Sequence, residues 1–422
     1  MDDLAALTQA VLAAEGDDLP RLVLADYLEE HDEPERAAFI RSQCEIASAA
    51  PWDPIAVHAR HHRPDWLDGR DFLNSLPETG SRFVEWFPTA PFRRGFGWSL
   101  LIRDLTDFLN VADELFDQAP IGELHLPTAA LSEWQRFARR SWLPRVRSVH
   151  FYGVTTPIEP IRVLCDAPLA TGLNEIVFEK AGSPAMPELV AALVRSPLGR
   201  RLKSLQFHVG YESLVEFINA FAVGPGELQL KQLLFRITGL APDLVRLMLR
   251  RPILDHLDTL NVEYAPQLGS EGMRLLTKSP KIAGLESLRL DEIQADDVGL
   301  AILASSTHLR GLKALDLSHN LFTPYGIRRL CQSTNLSNLR SLTLRKTGLQ
   351  SGSLILLGSA TYWQNLVELD LADNRITDEG VDILTGVPMP ADLTAIVLRG
   401  NPLSVTAVEK LREHFGWRLV FD

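Results

Sequence analysis

The chain has 422 residues, 46% of them hydrophobic and 23% charged, with a formal net charge of −12. That balance argues against general nucleic-acid binding, which needs a basic face, and leaves room only for a local basic patch. No run approaches 18 consecutive apolar residues, so no membrane span is implied, and the three scattered cysteines (Cys44, Cys165, Cys331) argue against a disulfide framework or a thiolate zinc site.

The N-terminal stretch MDDLAALTQAVLAAEGDDLP is acidic and lacks the basic start and cleavage site of a signal peptide. With the odd cysteine count it points to a reducing cytoplasm. Residues 3–15 carry Leu4, Leu7 and Val11 at helical spacing, which predicts an amphipathic helix broken at Gly16-Asp17-Asp18. Asp18 is placed to cap the next helix.

The segment from Asp17 to Gln43 predicts two short helices around a turn at His31–Pro34, with Leu22, Leu24, Ala25 and Leu28 facing Phe39, Ile40 and Cys44. Its residues Pro20-Arg21-Leu22, Ala25-Asp26-Tyr27-Leu28-Glu29-Glu30, Pro34, Phe39-Ile40-Arg41 and Gln43 resemble the short repeat-companion domain found at the start of large bacterial paralogue families, ahead of leucine-rich or other repeats. The resemblance covers about a tenth of the chain and implies an architecture, not a reaction. Asp26, Glu29 and Arg41 could form an active site, but an ion pair orienting the two helices is the preferred reading, small in energy if exposed.

Between Pro51 and Pro77 one more helix is expected, ended by Pro64. His58, His61 and His62, with Asp65 close by, have spacings a zinc site would want. Arg60 and Arg63 interleave and no His-Glu-x-x-His occurs, so a solvated helix face is preferred. The stretch Ser75–Pro91 reads as a bridge, and Trp86, Phe87, Phe92 and Phe96 are expected to seal the open core of the first repeat. The division is then 1–50 as a helical module, 51–94 as helix and linker forming an N-terminal cap, and 95–422 as the repeats with a C-terminal cap.

After the opening strand GFGWSLLI, six-residue blocks recur at Ile121, Val146, Leu173, Leu202, Leu230, Leu257, Leu285, Leu312, Leu339, Leu366 and Leu393. The first intervals are 25, 27, 29, 28, 27 and 28 residues, and from Leu285 on the interval is 27. Each block (LESLRL, LKALDL, LRSLTL, LVELDL, LTAIVL in the regular part) is apolar at positions one, four and six, as a short strand with one buried side requires. Asn320, Asn374 and Asn401 fall eight residues after their block starts, whereas Thr238, Ala265 and Ile293 hold that place earlier. Such an asparagine is structural, bonding backbone inside the turn. Asp296, Thr323, Thr377 and Ser404 lie eleven residues on, where a helix cap is needed. Each unit is therefore strand, turn, helix, and only stacking buries its apolar side. The pattern resembles the leucine-rich repeat, in its longer-period, ribonuclease-inhibitor-like class. This implies an α/β solenoid, a horseshoe with parallel strands on the concave face and helices on the convex face. Trp417–Phe421 looks like a last strand closing the C-terminal end.

Positions three, five and seven of each block point away from the core. Position five reads His125, His150, Val177, Gln206, Leu234, Asn261, Arg289, Asp316, Thr343, Asp370, Val397; position seven reads Pro127, Tyr152, Glu179, His208, Arg236, Glu263, Asp291, Ser318, Arg345, Ala372, Arg399. The signs are mixed, which suits a protein or peptide partner better than a polyanion. The candidate partner-binding residues are Tyr152, Arg236, Arg289, Asp316, Arg345, Asp370 and Arg399. His125 and His150 share a column and could chelate a metal, but only Tyr152 offers a third ligand, so neither metal nor cofactor is expected. No phosphate loop, nucleophile elbow or zinc-protease motif is present. The expectation is a non-catalytic cytoplasmic protein-interaction scaffold, with no nucleic-acid or membrane partner. The alternative is a regulator of an enzyme, either a GTPase activator or an adaptor in protein modification.

Overall fold

Every leucine block becomes a strand, beginning at its third residue. The computed structural model describes residues 3–14, 16–61, 78–87, 92–152, 158–179, 186–210, 214–221 and 228–421. It divides into two compact units, residues 1–50 with 63–203 and residues 51–62 with 204–422. The expected helix stop at Pro64 and the residues His62, Arg63 and Asp65 lie outside the described residues.

In the first unit the strands Ser99–Ile102, Glu123–Leu126, Ser148–Tyr152 and Glu175–Glu179 run parallel, in the register Leu101↔His125↔His150↔Val177. Within the expected bridge lies one further strand, Val84–Trp86, which pairs antiparallel with Leu100–Ile102 and covers the edge of the sheet there. In the second unit eight block strands pair in parallel with position five opposite position five: Gln206, Leu234, Asn261, Arg289, Asp316, Thr343, Asp370, Val397. The strand Leu419–Val420 closes that sheet, as expected.

The leucines at positions one, four and six, such as Leu312, Leu315 and Leu317, are buried, as are Ile327 and Leu330 of the helix that follows them. Each such side chain contributes about 1.5–3 kcal/mol of burial. Where phenylalanine takes the sixth place the rings stack from repeat to repeat, Phe151 on Phe178 in one unit and Phe207 on Phe235 in the other. Three expected caps are made: Asp296 accepts from the Val298 and Gly299 N–H groups, Thr323 from Tyr325, and Ser404 from Ala407. Thr377 does not cap its helix; its hydroxyl bonds Ser351 of the neighbouring repeat.

The turns explain why asparagine recurs. The Asn374 side-chain oxygen accepts from Thr347 and Leu349 N–H at 3.0 Å each, and its amide donates to the Leu344 and Leu371 carbonyls at 2.8 and 3.0 Å. Asn320 and Asn401 likewise join two repeats, each serving backbone groups of the preceding turn and a carbonyl of its own, Leu317 and Leu398 respectively. Just before this residue the backbone turns left-handed. Tyr264, Glu292, His319, Lys346 and Asp373 all have φ between 53° and 56°, and Gly400 holds the same place at 72°. A side chain in that region is strained by roughly 1–2 kcal/mol. Exposed Lys346 is the clean test: Lys346→Gly should raise stability by about 0.5–1 kcal/mol in urea unfolding, and a loss would refute the strain.

The N-terminal helices are Asp3–Ala13, Leu19–Glu30 and Pro34–Ser48. Val11, Leu24, Ala25, Leu28, Ala37, Ile40 and Cys44 form their core. Leu22 is exposed rather than facing it; the buried neighbour is Arg21, whose guanidinium donates to the Asp17 carbonyl at 2.6 Å. Arg41 bridges Asp26 and Glu29 at 2.7 Å each, the expected ion pair, on an exposed face where its energy is small. Asp18 does not cap the second helix but pairs with Arg94 at 3.1 Å. Of the four aromatics expected to seal the first repeat, two sit elsewhere: Phe92 packs edge-on against Phe39 and Phe96 joins the helical core, both from the hairpin Phe92–Arg93 and Phe96–Gly97. Trp86 ends the strand paired at the sheet edge, and Phe87 stacks on His125. Gly95 in that hairpin has φ 81°, and a Cβ there would meet Ile40 at 2.5 Å. Among the described residues no helix is long and apolar enough to cross a membrane.

Candidate binding face on the strands

A charged part of the strand face lies in the second unit, where strands Thr259–Glu263, Ser287–Asp291 and Ala314–Asp316 are neighbours. Arg289 stands at position five of the middle strand, and three carboxylates converge on it. Its two terminal nitrogens lie 3.1 Å from Glu263 and 3.1 Å from Asp291, and Nε lies 3.0 Å from Asp316, a charge contact without hydrogen-bond alignment. His319 Nδ1 reaches Asp291 at 2.7 Å. Three carboxylates around one guanidinium leave an excess of two negative charges when all are ionised. Burial, chiefly, pushes the Glu263 and Asp316 carboxyls up despite the Arg289 charge. Arg289 itself is held above its ordinary value, against burial, by Asp316, Glu263 and Asp291. Each excess charge thus opposes folding, and an arriving cation would relieve it.

Further along the same unit the face is occupied by part of the chain itself. The helix Pro54–His61 lies on the last strands, with Val57 packed against Val367 and Ala395. Arg60 grips Glu368 at 2.9 and 3.0 Å, and His61 reaches the same carboxylate at 2.5 Å. Ser341 donates to it at 2.6 Å. Burial alone would push the Glu368 carboxyl up, but His61, Arg60 and Ser341 together hold it below the usual carboxylate range. Trp52 receives the Lys313 ammonium over its ring at 5.0 Å, and His58 meets Trp417 edge-on. Of the histidines expected on a solvated helix face, His61 is engaged with the strand glutamate and His58 with Trp417.

The other candidate residues have local partners of their own. Asp316 and Asp370 each accept an N–H from two residues on, Ser318 and Ala372, so both also hold the strand end. Burial and then the neighbouring Glu368 charge push the Asp370 carboxyl up, although the Ala372 N–H favours its ionised form. Arg345 is paired to Asp373 through two nitrogens at 2.7 Å. The Arg236 guanidinium lies over the Tyr264 ring at 4.4 Å, and Arg399 is exposed at the end of its strand. In the first unit the Tyr152 hydroxyl donates to the Ile102 carbonyl, so its oxygen is engaged beside the sheet. There His125 and His150 do lie side by side, ring centroids 4.1 Å apart, and the third group beside them is Glu123 and not Tyr152. All three cysteines are free and buried; burial is the main cause pushing Cys44 and Cys331 up to about 12 and Cys165 to about 11, which favours the thiol over the thiolate.

Comparison with known proteins gives the fold a family word. A family model described as a Leucine Rich repeat matches residues 364–382. A search of the curated proteins finds no match. Among solved structures, an internalin from Listeria monocytogenes is similar at 14% identity over 69% of this chain and 78% of that one, with a TM-score of 0.38. A chain of the Rad7 and Elc1 complex from yeast is similar at 14% identity over 91% of this chain and 92% of that one, with a TM-score of 0.44. The strand-turn-helix units have the fold class of a leucine-rich-repeat solenoid, and the family match falls on residues 364–382 of them.

Proposed function

We propose that the strand face of residues 204–422 is a non-catalytic protein-binding surface that takes a short helical segment with an apolar anchor and basic side chains. One observation carries this reading. The face already holds such a segment, the Pro54–His61 helix, by one valine and by Arg60 and His61 on a buried glutamate. Laying a helix with an apolar and a charged contact into a groove is a recurrent mode of recognition. The neighbouring Glu263, Asp291 and Asp316 supply the negative charge a second basic contact would need, and the same excess opposes the approach of a phosphate backbone. Among the exposed strand residues, Arg236 and Arg399 stand ready at either side to meet acidic groups of the partner.

The test is site-specific photo-crosslinking in the native cell. A photoreactive residue at Asn261 or Thr343, on the strands, should trap one and the same protein; placed at Ile355, exposed on a helix, it should not. Equal trapping from Ile355 would sink the strand-face reading. Asp316→Asn in the same background should abolish the adduct without lowering the melting temperature at neutral pH. The sign comes from the raised Asp316 pKa. The folded state favours the protonated group, so that contribution is present in acid and lost as pH rises through the folded pKa. A neutral amide keeps it at pH 7.

A further inference from the structure

We propose that Glu123, His125 and His150 form a binding site for a divalent transition-metal ion of the zinc type, distinct from the surface above and contained in the first unit. One donor atom from each of the three lies within 4.8 Å of the others. The sheet fixes them: Glu123 and His125 are positions three and five of one strand, and His150 is paired directly opposite His125 on the next.

The orientation of the rings is what separates this cluster from a chance gathering of polar groups. Both Nε2 atoms face the Glu123 carboxylate, at 2.9 Å from His125 and 4.0 Å from His150. Both Nδ1 atoms face a second carboxylate, Glu179, at 3.3 Å from His150 and 3.9 Å from His125. A metal-bound imidazole commonly binds through one nitrogen while the other donates to a carboxylate that fixes its tautomer. Two ligands about 2.0–2.1 Å from a tetrahedral ion stand roughly 3.3–3.4 Å apart; the separations on the Nε2 side bracket that distance. The His150 Nε2 atom is buried and makes no hydrogen bond among the described residues, so a polar atom aimed into the cluster is left unsatisfied. Ser99 holds Glu123 by a 2.7 Å hydrogen bond, and the Phe87 ring stacks on His125 at 4.0 Å, which orients one ligand and shields another from water.

The donor set selects the ion. Two imidazoles and one carboxylate suit zinc, iron, copper or nickel, and not magnesium or calcium, which take oxygen ligands. Three protein ligands leave a position for water. Because His125 and His150 belong to successive repeats, the bound ion would tie two strands together and stabilise the unit.

The experiment uses the full chain, stripped with a chelator and titrated with zinc by calorimetry, with cobalt as a spectroscopic probe. One equivalent of zinc should bind and raise the melting temperature, and cobalt should show the visible bands of a low-coordinate nitrogen and oxygen site. Glu123→Gln and His150→Asn should each weaken zinc by more than about 100-fold. Glu179→Gln, acting only on the rings, should weaken it by about 10- to 100-fold. Thermal unfolding of the metal-free variants establishes that they fold. No zinc uptake by the stripped wild-type chain overturns the proposal, and so does unchanged stoichiometric uptake by a His125→Asn, His150→Asn double variant, which would place the metal elsewhere. If folded variants lose zinc while Glu179→Gln binds like the wild type, the carboxylate role assigned to Glu179 is overturned with it.

Discussion

Asn374→Ala should destabilise residues 204–422 by roughly 3 kcal/mol, the upper end for unsatisfied buried hydrogen bonds. The reason is the number of groups left stranded. Asn374 serves the Thr347 and Leu349 N–H groups and the Leu344 and Leu371 carbonyls, all inside the turn and shut off from water. Alanine fills less space and offers none of these bonds, and two repeats share the damage because Leu344 and Leu349 belong to one and Leu371 to the next. Urea unfolding gives the free energy, and hydrogen exchange at residues 344–349 and 371–374 gives its location. A change no larger than the ±0.5 kcal/mol or so of an ordinary surface substitution would show that the ladder is ornamental. The preceding repeat has Thr347 where asparagine is expected, and its hydroxyl makes one of those bonds, to Leu344 at 2.8 Å. Asn374→Thr should therefore lose less than Asn374→Ala.

The second large effect is expected at Glu368. Glu368→Lys places an ammonium against Arg60 and His61 on a buried strand and should release the Pro54–His61 helix. Breaking a buried pair by altering one partner is worth about 3–5 kcal/mol, and because Arg60 is 45% exposed the lower end applies. Hydrogen exchange at residues 54–61 should rise to that of an undocked helix, while residues 287–343 keep their protection. Acid should act in the same direction on the wild type. Glu368 has a folded pKa below its ordinary 4.5, so its contribution is present above that value and is lost as pH falls through the lowered one. Glu263, Asp316 and Asp370 carry the opposite sign, since theirs are raised. The local exchange at 54–61, and not the global melting temperature, is therefore the measurement that separates them. Retained protection at 54–61 in Glu368→Lys would remove the self-occupied groove on which the proposed function rests.

Much of this was legible in the spacing of leucines. The blocks from Ile121 to Leu393 each became a strand starting at the third residue, in the register that placed Arg289 beside Asp316 and His125 beside His150. Position three was open to the same column reading, and it contains Glu123 and Glu368, the two carboxylates on which the histidines converge. The left-handed residue before the asparagine position gave no such signal, because Tyr264, Glu292, His319, Lys346 and Asp373 share no chemistry. Only the turn geometry, common to all five, demands that conformation.

A repeated strand is specified locally. Alternation along six residues decides which side is buried, and a constant interval decides which residue stands opposite which, so the sequence alone determined the solenoid, its register and its core. Tertiary structure alone decided where the Pro54–His61 helix settles, some 308 residues from the glutamate it grips. It also decided that three carboxylates from three strands meet at Arg289. Those contacts depend on diagonal distances across a twisted sheet and on a chain returning to it, quantities that no local period encodes.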